Sequence, residues 1–413
     1  MLQALLSSTR TARRRRAASL LASLLLVSVA AAASAQSIFV TPNDQRPSSG
    51  WTVTPVFVFS QSADSNVTLA GKGAPNTADK ALGLAPSGEI GYLGPHTTMT
   101  AGYAGSATRY FTLSQLDTFD QRLYVNFKQL ITRRVQLFGQ ASAGWLPTTD
   151  TVLLAGVPFV RVGSTIKTVQ GGVTVALAKH TTTTAGYRLE YIGFDRTNPL
   201  AVGLLGGHSN GVYGDIRQQV SPHVTVGAAY DIRRTDITDR LQQFNMLNVQ
   251  GTVEYRFSPA FFVSGGLGVA RIAGSLPGFG SRVGPAMTAT INYTFDRTLA
   301  FAGYTRAYVP SYAIGGTTQD AELTTGVRVP VAFRNRLVLG GSVSWRRNDP
   351  LSLLGQPLNS VWLTANAGYG FAPWLRVEGF YSRSTQDSHL PGGVVDRNQF
   401  GVQIVTLAPM RFK

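Results

Sequence analysis

The chain has 413 residues, no cysteine and a formal net charge of +16. The missing cysteine excludes disulfides, thiolate metal sites, catalytic thiols and the lipid-bearing residue of a lipoprotein. Lys and Arg are scattered beyond the N-terminus rather than gathered in long runs, which argues against nucleic acid and for anionic solutes or the phosphates of a surface glycolipid.

The first predicted element is an export leader, residues 1–35. Arg13 to Arg16 supply its positive region, Ala17 to Ala32 its apolar region, and Ala33-Ser34-Ala35 a cleavage site that leaves Gln36 as the mature N-terminus. Removing the leader, with Arg10 and Arg13 to Arg16, lowers the charge to +11. Residues 36–50 then form a short periplasmic segment, too short for a plug domain, and residues 51–413 form the body of the protein. No later stretch reaches the ~18 unbroken apolar residues of a spanning helix. Any membrane crossing must therefore use strands.

From residue 51 onward the chain repeats a hairpin. Eight pairs of residues flank three-residue spacers suited to tight turns: Leu93/Thr97, Ile131/Val135, Leu177/Thr181, Val220/Val224, Phe257/Phe261, Phe295/Leu299, Phe333/Leu337 and Phe371/Leu375. Spacers such as Ser221-Pro222-His223, Ser258-Pro259-Ala260 and Ala372-Pro373-Trp374 fix the backbone where no ladder donor is needed. The repeats are 38, 46, 43, 37, 38, 38 and 38 residues long. A propeller blade of that period would need four short strands, whereas each unit here holds two long ones. With a first strand near 51–60 and a last near 398–407, the count is 18, an all-β, transmembrane antiparallel up-and-down barrel. The even number places both termini at the short-turn, periplasmic side and the longer loops outside.

The strands sort their residues by face. Val249, Gly251, Val253, Tyr255 and Phe257 share one side; Gln250, Thr252, Glu254 and Arg256 share the other. Such sorting is expected, since Arg or Lys facing lipid at the midplane costs about 2–4 kcal/mol. Tyr255, Phe257, Tyr293, Phe295, Phe333, Tyr369 and Phe371 predict an aromatic girdle beside the short turns, and Trp145, Tyr191, Tyr230, Trp345 and Tyr381 a second at the opposite ends.

A barrel of this size leaves an aqueous lumen unless loops fill it. Its predicted lining carries Lys128, Arg188, Arg217, Arg256, Arg328 and Arg376 against Glu89, Glu190, Asp215, Glu254 and Glu378. Arg188 with Glu190, Asp215 with Arg217, and Arg376 with Glu378 are expected to pair as i, i+2 neighbours, and the surplus base predicts mild anion preference. Of the long loops, the third (146–168) carries an apolar segment, Val152 to Val160, followed by Arg161. Apolar content is odd for an exposed loop, so Asp150, Phe159 and Arg161 are expected to mark a segment that folds inward and narrows the pore; a loop hairpin standing above the membrane is the alternative.

Catalytic and metal signals are weak. His96, His180 and His223 lie at short turns, and His208 and His389, with Asp387 near the latter, in outer loops. No close His/Asp/Glu cluster recurs, so neither enzyme activity nor a cofactor is expected. Gly265-Gly266-Leu267-Gly268 has no helix after it and reads as strand packing rather than a phosphate cradle.

The Tyr255 to Phe261 pattern, Tyr-x-Phe-Ser-Pro-x-Phe, with Gly102-Tyr103 and Gly186-Tyr187, resembles the β-barrel porins of bacterial outer membranes. The resemblance covers most of the mature chain and implies an outer-membrane pore, in some relatives linked to polysaccharide export, and often a homotrimer. One departure is the terminus, where Phe412 is preceded by Pro409 and followed by Lys413 instead of closing the chain on an aromatic. Three readings stay open. They are a channel for passive diffusion of small polar solutes; a polysaccharide exporter with Tyr124, Tyr213, Tyr304 and Trp362 as inward platforms for sugar rings; and a surface structural or adhesive barrel plugged by its loops.

Overall fold

The computed structural model describes residues 49–412 except 76, 150–156, 200–203, 238–241, 275–279, 296–297, 313–316, 333–335, 352–355 and 389–392. Its strands are β1 (Gly50–Asp64), β2 (Asp79–Leu93), β3 (Thr97–Tyr110), β4 (Thr118–Leu130), β5 (Val135–Leu146), β6 (Ser164–Ala178), β7 (Thr181–Phe194), β8 (Gly207–Gln219) and β9 (Val224–Ile237). They continue as β10 (Gln242–Ser258), β11 (Phe261–Gly274), β12 (Ser281–Phe295), β13 (Thr298–Pro310), β14 (Thr317–Ala332), β15 (Leu337–Pro350), β16 (Leu358–Ala372), β17 (Leu375–Asp387) and β18 (Val394–Leu407). Each pairs antiparallel with its sequence neighbours, and β1 pairs with both β2 and β18, which closes the ring. A three-residue segment, β19 (Met410–Phe412), resumes beyond Pro409 and continues the ladder against Trp51 to Val53.

The strand ends that flank all eight spacers fall within one residue of their predicted positions. At two of them a serine supplies the local bonds that the prolines cannot. Ser221 Oγ accepts the N–H of His223 and Val224 at 3.2 and 3.0 Å, and Ser258 Oγ those of Ala260 and Phe261 at 3.2 and 3.1 Å. Phe333 lies outside the described residues.

At their other ends the strands run several residues further than the alternation indicated, so the connections are shorter than expected: 65–78 where 61–80 was read, and 147–163 where 146–168 was read. The ladder carries on above the hydrocarbon, but outward positions there turn polar, as at Lys80, Arg109, Arg234 and Arg347, and the apolar/polar rhythm vanishes although the hydrogen bonds do not.

Outward positions form an apolar belt. Phe57, Leu84, Val125, Val169, Val249, Leu267 and Val402 are all exposed, Leu267 to 67%. Beside the short turns, Tyr255, Phe257, Phe261, Tyr293 and Phe295 touch ring to ring, with centroids 4.6 to 6.5 Å apart, and Trp51 meets Tyr92 across β1 and β2 at 4.9 Å. Trp145, Tyr191 and Tyr230 are exposed outward toward the other end. Gly268 lies within β11, where a Cβ would stand 1.8 Å from Val249 O, so this glycine serves close strand approach, as read.

The interior holds a feature the alternation did not announce. At the long-loop end, Leu146, Ile192, Ile237, Phe244, Met246, Ala270, Ile272 and Ala286, at inward positions of β5, β7 and β9 to β12, form one buried cluster with Tyr308 and Tyr312. Tyr312, in the β13–β14 connection, is buried; burial first, and the charge of Glu190 second, hold its hydroxyl far above the usual phenol range, so it stays neutral. Below this cluster the inner wall is polar.

Candidate solute pathway

The polar wall is built from repeating cross-strand units. On β7, β8 and β9 the register sets Arg188, Gly211 and Arg233 at one level, and Gly186, Tyr213 and Asp231 at the next. Gly211 leaves space between the two arginines: a Cβ there would stand 2.9 Å from Arg233 Cγ. Both guanidinium groups reach Asp231, Arg233 donating through Nε at 2.6 Å and Nη2 at 3.0 Å, and Arg188 approaching to 3.6 Å. Arg188 also lies 5.0 Å over the Tyr213 ring, and that ring covers Gly186.

Elsewhere the expected neighbours pair. Arg217 meets Asp215 at 2.6 Å, Arg256 meets Glu254 at 2.8 Å, and Arg376 meets Glu378 at 3.1 Å, with Gln403 donating to the same carboxylate at 2.8 Å. Arg188 is a correction. Its ion pair is with Asp231 across the strands rather than with Glu190, which lies on the same wall beside Ser209 and Gly211. The bare Gly211 makes the cross-strand route shorter than the route along the strand. Lys128 and Arg328 hold inward register positions, Lys128 level with Thr98 and Phe138, Arg328 level with Leu299 and Gly340. Hydroxyl pairs fill the space between charges, Ser142 with Thr168 at 2.6 Å and Ser342 with Thr364 at 2.7 Å.

On the facing wall, Arg346 donates to Glu322 at 2.6 Å, lies 3.7 Å from Asp320 and sits 5.8 Å over Trp362. Asn348 donates to Asp320 at 2.5 Å. Arg397 clamps Asp64 through Nε and Nη2 at 2.9 and 2.6 Å where β18 meets β1.

The third long loop lies against this facing wall. Asp150 lies outside the described residues, but residues 157–162 can be followed. The loop leaves β5 and returns to β6, yet Phe159 is 2% exposed and packs on Trp362 of β16 with centroids 5.5 Å apart. Gln386 of β17 holds the backbone on both sides of Pro158: its Oε1 accepts the Phe159 N–H at 2.7 Å and its Nε2 donates to Val157 O at 3.0 Å. Thr149 Oγ1 closes the loop on itself, donating to Pro158 O at 2.5 Å. Arg161 points another way, donating to Val67 O at 3.0 Å and to Leu116 O, its guanidinium 5.4 Å over Tyr110. Phe159 and Arg161 therefore tie this loop to strands β16 and β17 and to the first two long loops. The only sequence signal for Gln386 and Trp362 as partners of this loop is the inward parity of β16 and β17.

Of the four proposed ring platforms, Tyr124, Tyr213 and Trp362 face inward, and each is already engaged. Tyr124 lies over Gly102 and donates to Glu89, Tyr213 carries Arg188, and Trp362 carries Phe159 and Arg346. Tyr304 is a correction: it pairs with Ala289 and with Leu323, a lipid-facing residue, and directly opposed residues share a face. Among the histidines, His223 Nδ1 is 2.8 Å from Arg256 O, His208 approaches Asp236 at 3.2 Å, and His389 lies outside the described residues.

No protein-family model and no curated protein sequence matches the chain. Among solved structures it is similar to OccAB4 of Acinetobacter baumannii, at 10% identity over 90% of this chain and 100% of that one, with a TM-score of 0.44. The outer membrane protein OpdK of Pseudomonas aeruginosa is similar at 10% identity, 87% and 99% coverage and a TM-score of 0.44, and the FrpB iron transporter of Neisseria meningitidis at 9%, 82% and 63%, and 0.44. Closure strand by strand, an apolar outer belt with aromatic girdles and a charged interior make the chain a transmembrane β-barrel of the bacterial outer-membrane kind.

Proposed function

We propose that this barrel is a channel for passive diffusion of small polar solutes, mildly selective for anions, whose bore is narrowed by the third long loop. The observation that carries the reading is the polar inner wall, whose charges are held by partners on the wall itself, as with Arg188, Asp231 and Arg233. Such a lining stays wetted without demanding a particular solute. Because most of its arginines are locally neutralised, the anion preference is small and rests on the surplus of base along the wall, including Lys128. Residues 1–35 act as the export leader, and the lipid partner is the outer leaflet. A polysaccharide exporter fits less well, since the inward rings are covered by wall or loop side chains.

Reconstitution in planar bilayers tests the proposal. The wild type should conduct with weak anion selectivity and admit small polar solutes in liposome swelling, and deletion of residues 150–162 should raise single-channel conductance. Cation selectivity at neutral pH would remove the anion preference, unchanged conductance in the deletion would remove the constriction, and absence of any conductance would favour a plugged structural barrel.

A further inference from the structure

On the described strands, charge at lipid-facing register positions lies toward the long-loop end, and part of it is internally matched. Arg234 approaches Asp236 at 3.7 Å, Arg347 meets Asp349 at 2.9 Å, and Arg383 meets Asp396 at 2.8 Å. Two neighbouring cations are different. Lys80 on β2 and Arg109 on β3 are exposed, and among the described residues neither forms an ion pair. The register sets Arg109 opposite Leu82, with Lys80 the next outward residue of β2, so the two are diagonal neighbours on one face, roughly 7–8 Å apart. Asp117, close by, gives a carboxylate oxygen to the Tyr110 N–H at 2.8 Å.

On the same face lies a trough of about 290 Å³ with Arg109, Asp117, Thr108 and Thr118 at its upper rim and Phe59, Leu82, Gly83, Leu84 and Ala107 toward the hydrocarbon. Small Ala107 makes the depression, and Phe59 and Leu84 wall it. Two unmatched positive charges above an apolar trough reproduce, in complementary form, a lipid whose phosphates sit above its acyl chains. Other outward cations lack one half of this arrangement: Lys167 lies 5.7 Å over Tyr191, and Arg271 donates to Ser281 at 3.0 Å.

We infer that the outer face of β2 and β3 docks a phosphorylated glycolipid of the outer leaflet, Lys80 and Arg109 holding its phosphates and the Phe59–Leu82–Leu84–Ala107 trough one acyl chain. The inference rests on the membrane placement argued above and not on the channel reading. Native mass spectrometry of the purified full-length barrel, released from micelles doped with bis-phosphorylated lipid A or its dephosphorylated counterpart, tests it. The wild type should retain the phosphorylated form selectively. The K80A/R109A pair should lose that retention roughly 30-fold, the scale of two surface cations facing anionic lipid, and K80R/R109K should restore it. Heat-modifiable gel mobility confirms that each variant is folded. Equal retention of the two lipids, unchanged retention by K80A/R109A, or a dimer of the chain in place of bound lipid would overturn the inference. A barrel that conducts nothing yet keeps the phosphorylated lipid would sink the channel and leave this site standing.

Discussion

Inside this wall an aromatic ring on one strand repeatedly lies on a glycine of the next. Tyr124 covers Gly102, Tyr213 covers Gly186, Phe301 covers Gly326 and Phe380 covers Gly401, each pair directly opposed in register. The bare glycine lets the ring lie flat, and the flat ring offers its face to a cation, as Tyr213 does to Arg188. Gly186→Val should therefore destabilise the barrel by about 1–3 kcal/mol, the usual cost of overpacking, because its Cβ would stand 2.6 Å from the Tyr213 ring. Gly379→Ala, with no atom within 4 Å of the new carbon, should be neutral. Urea unfolding of the two variants in detergent decides the matter, and equal midpoints would refute it. A second expectation concerns Asp231. Its replacement by Asn leaves Arg188 and Arg233 facing one another, so the reversal potential should move toward anions and stability fall by about 1–2 kcal/mol for a pair partly reached by solvent. An unmoved reversal potential would show that these arginines do not face the permeating ions. These units were only half legible in the sequence. Gly102-Tyr103 and Gly186-Tyr187 stand out as dipeptides, yet Tyr103 and Tyr187 point to lipid, and the glycines serve rings on other strands. Which ring meets which glycine depends on register, and register is a property of two strands together.

At the scale of elements, turns and belt strands were readable because each is specified locally: a Ser-Pro spacer caps itself, and lipid on one side with water on the other enforces a period of two. Where those constraints end, so does the reading. Strand ends above the hydrocarbon lost their rhythm, and the apolar inner cluster around Phe244, Met246 and Ile272 broke it, because loops rather than water cover that part of the interior. The docking of the third loop falls in the same category. Its apolar segment signalled burial, but the site of burial is made by Gln386, from a strand more than two hundred residues away. Gln386→Ala should release it, since the Phe159 N–H and Val157 O would then lose their side-chain partner inside a buried contact, at about 1–3 kcal/mol for groups left unsatisfied. Single-channel records should gain high-conductance substates while the barrel's thermal unfolding stays close to wild type. Records indistinguishable from wild type would mean that this loop does not limit flow.

At the scale of the whole molecule, the number of strands follows from counting hairpins, but closure does not, because the seam joins the two ends of the chain. Gly50–Asp64 pairs with Val394–Leu407 only after sixteen intervening strands have set the circumference, and Pro409, lacking an N–H, interrupts the last strand just short of its end. The chain resumes at once: Met410, Arg411 and Phe412 face Val53, Thr52 and Trp51. This gives the segment after Pro409 a structural role. Phe412 need not be the final residue to matter, since it lies on the lipid face opposite Trp51, where the aromatic girdle would otherwise have a gap at the seam. Deleting residues 408–413 would leave Trp51 to Val53 paired only to β2, with one row of backbone groups bare at the membrane edge, where each unsatisfied group costs several kcal/mol. Folding into lipid vesicles, followed by heat-modifiable gel mobility, should then show a slower approach to the folded form and a lower final yield, while Phe412→Ala, which keeps the ladder, should lose less. If the truncated chain closed as fast and as completely as the full one, the seam would be held by β18 alone.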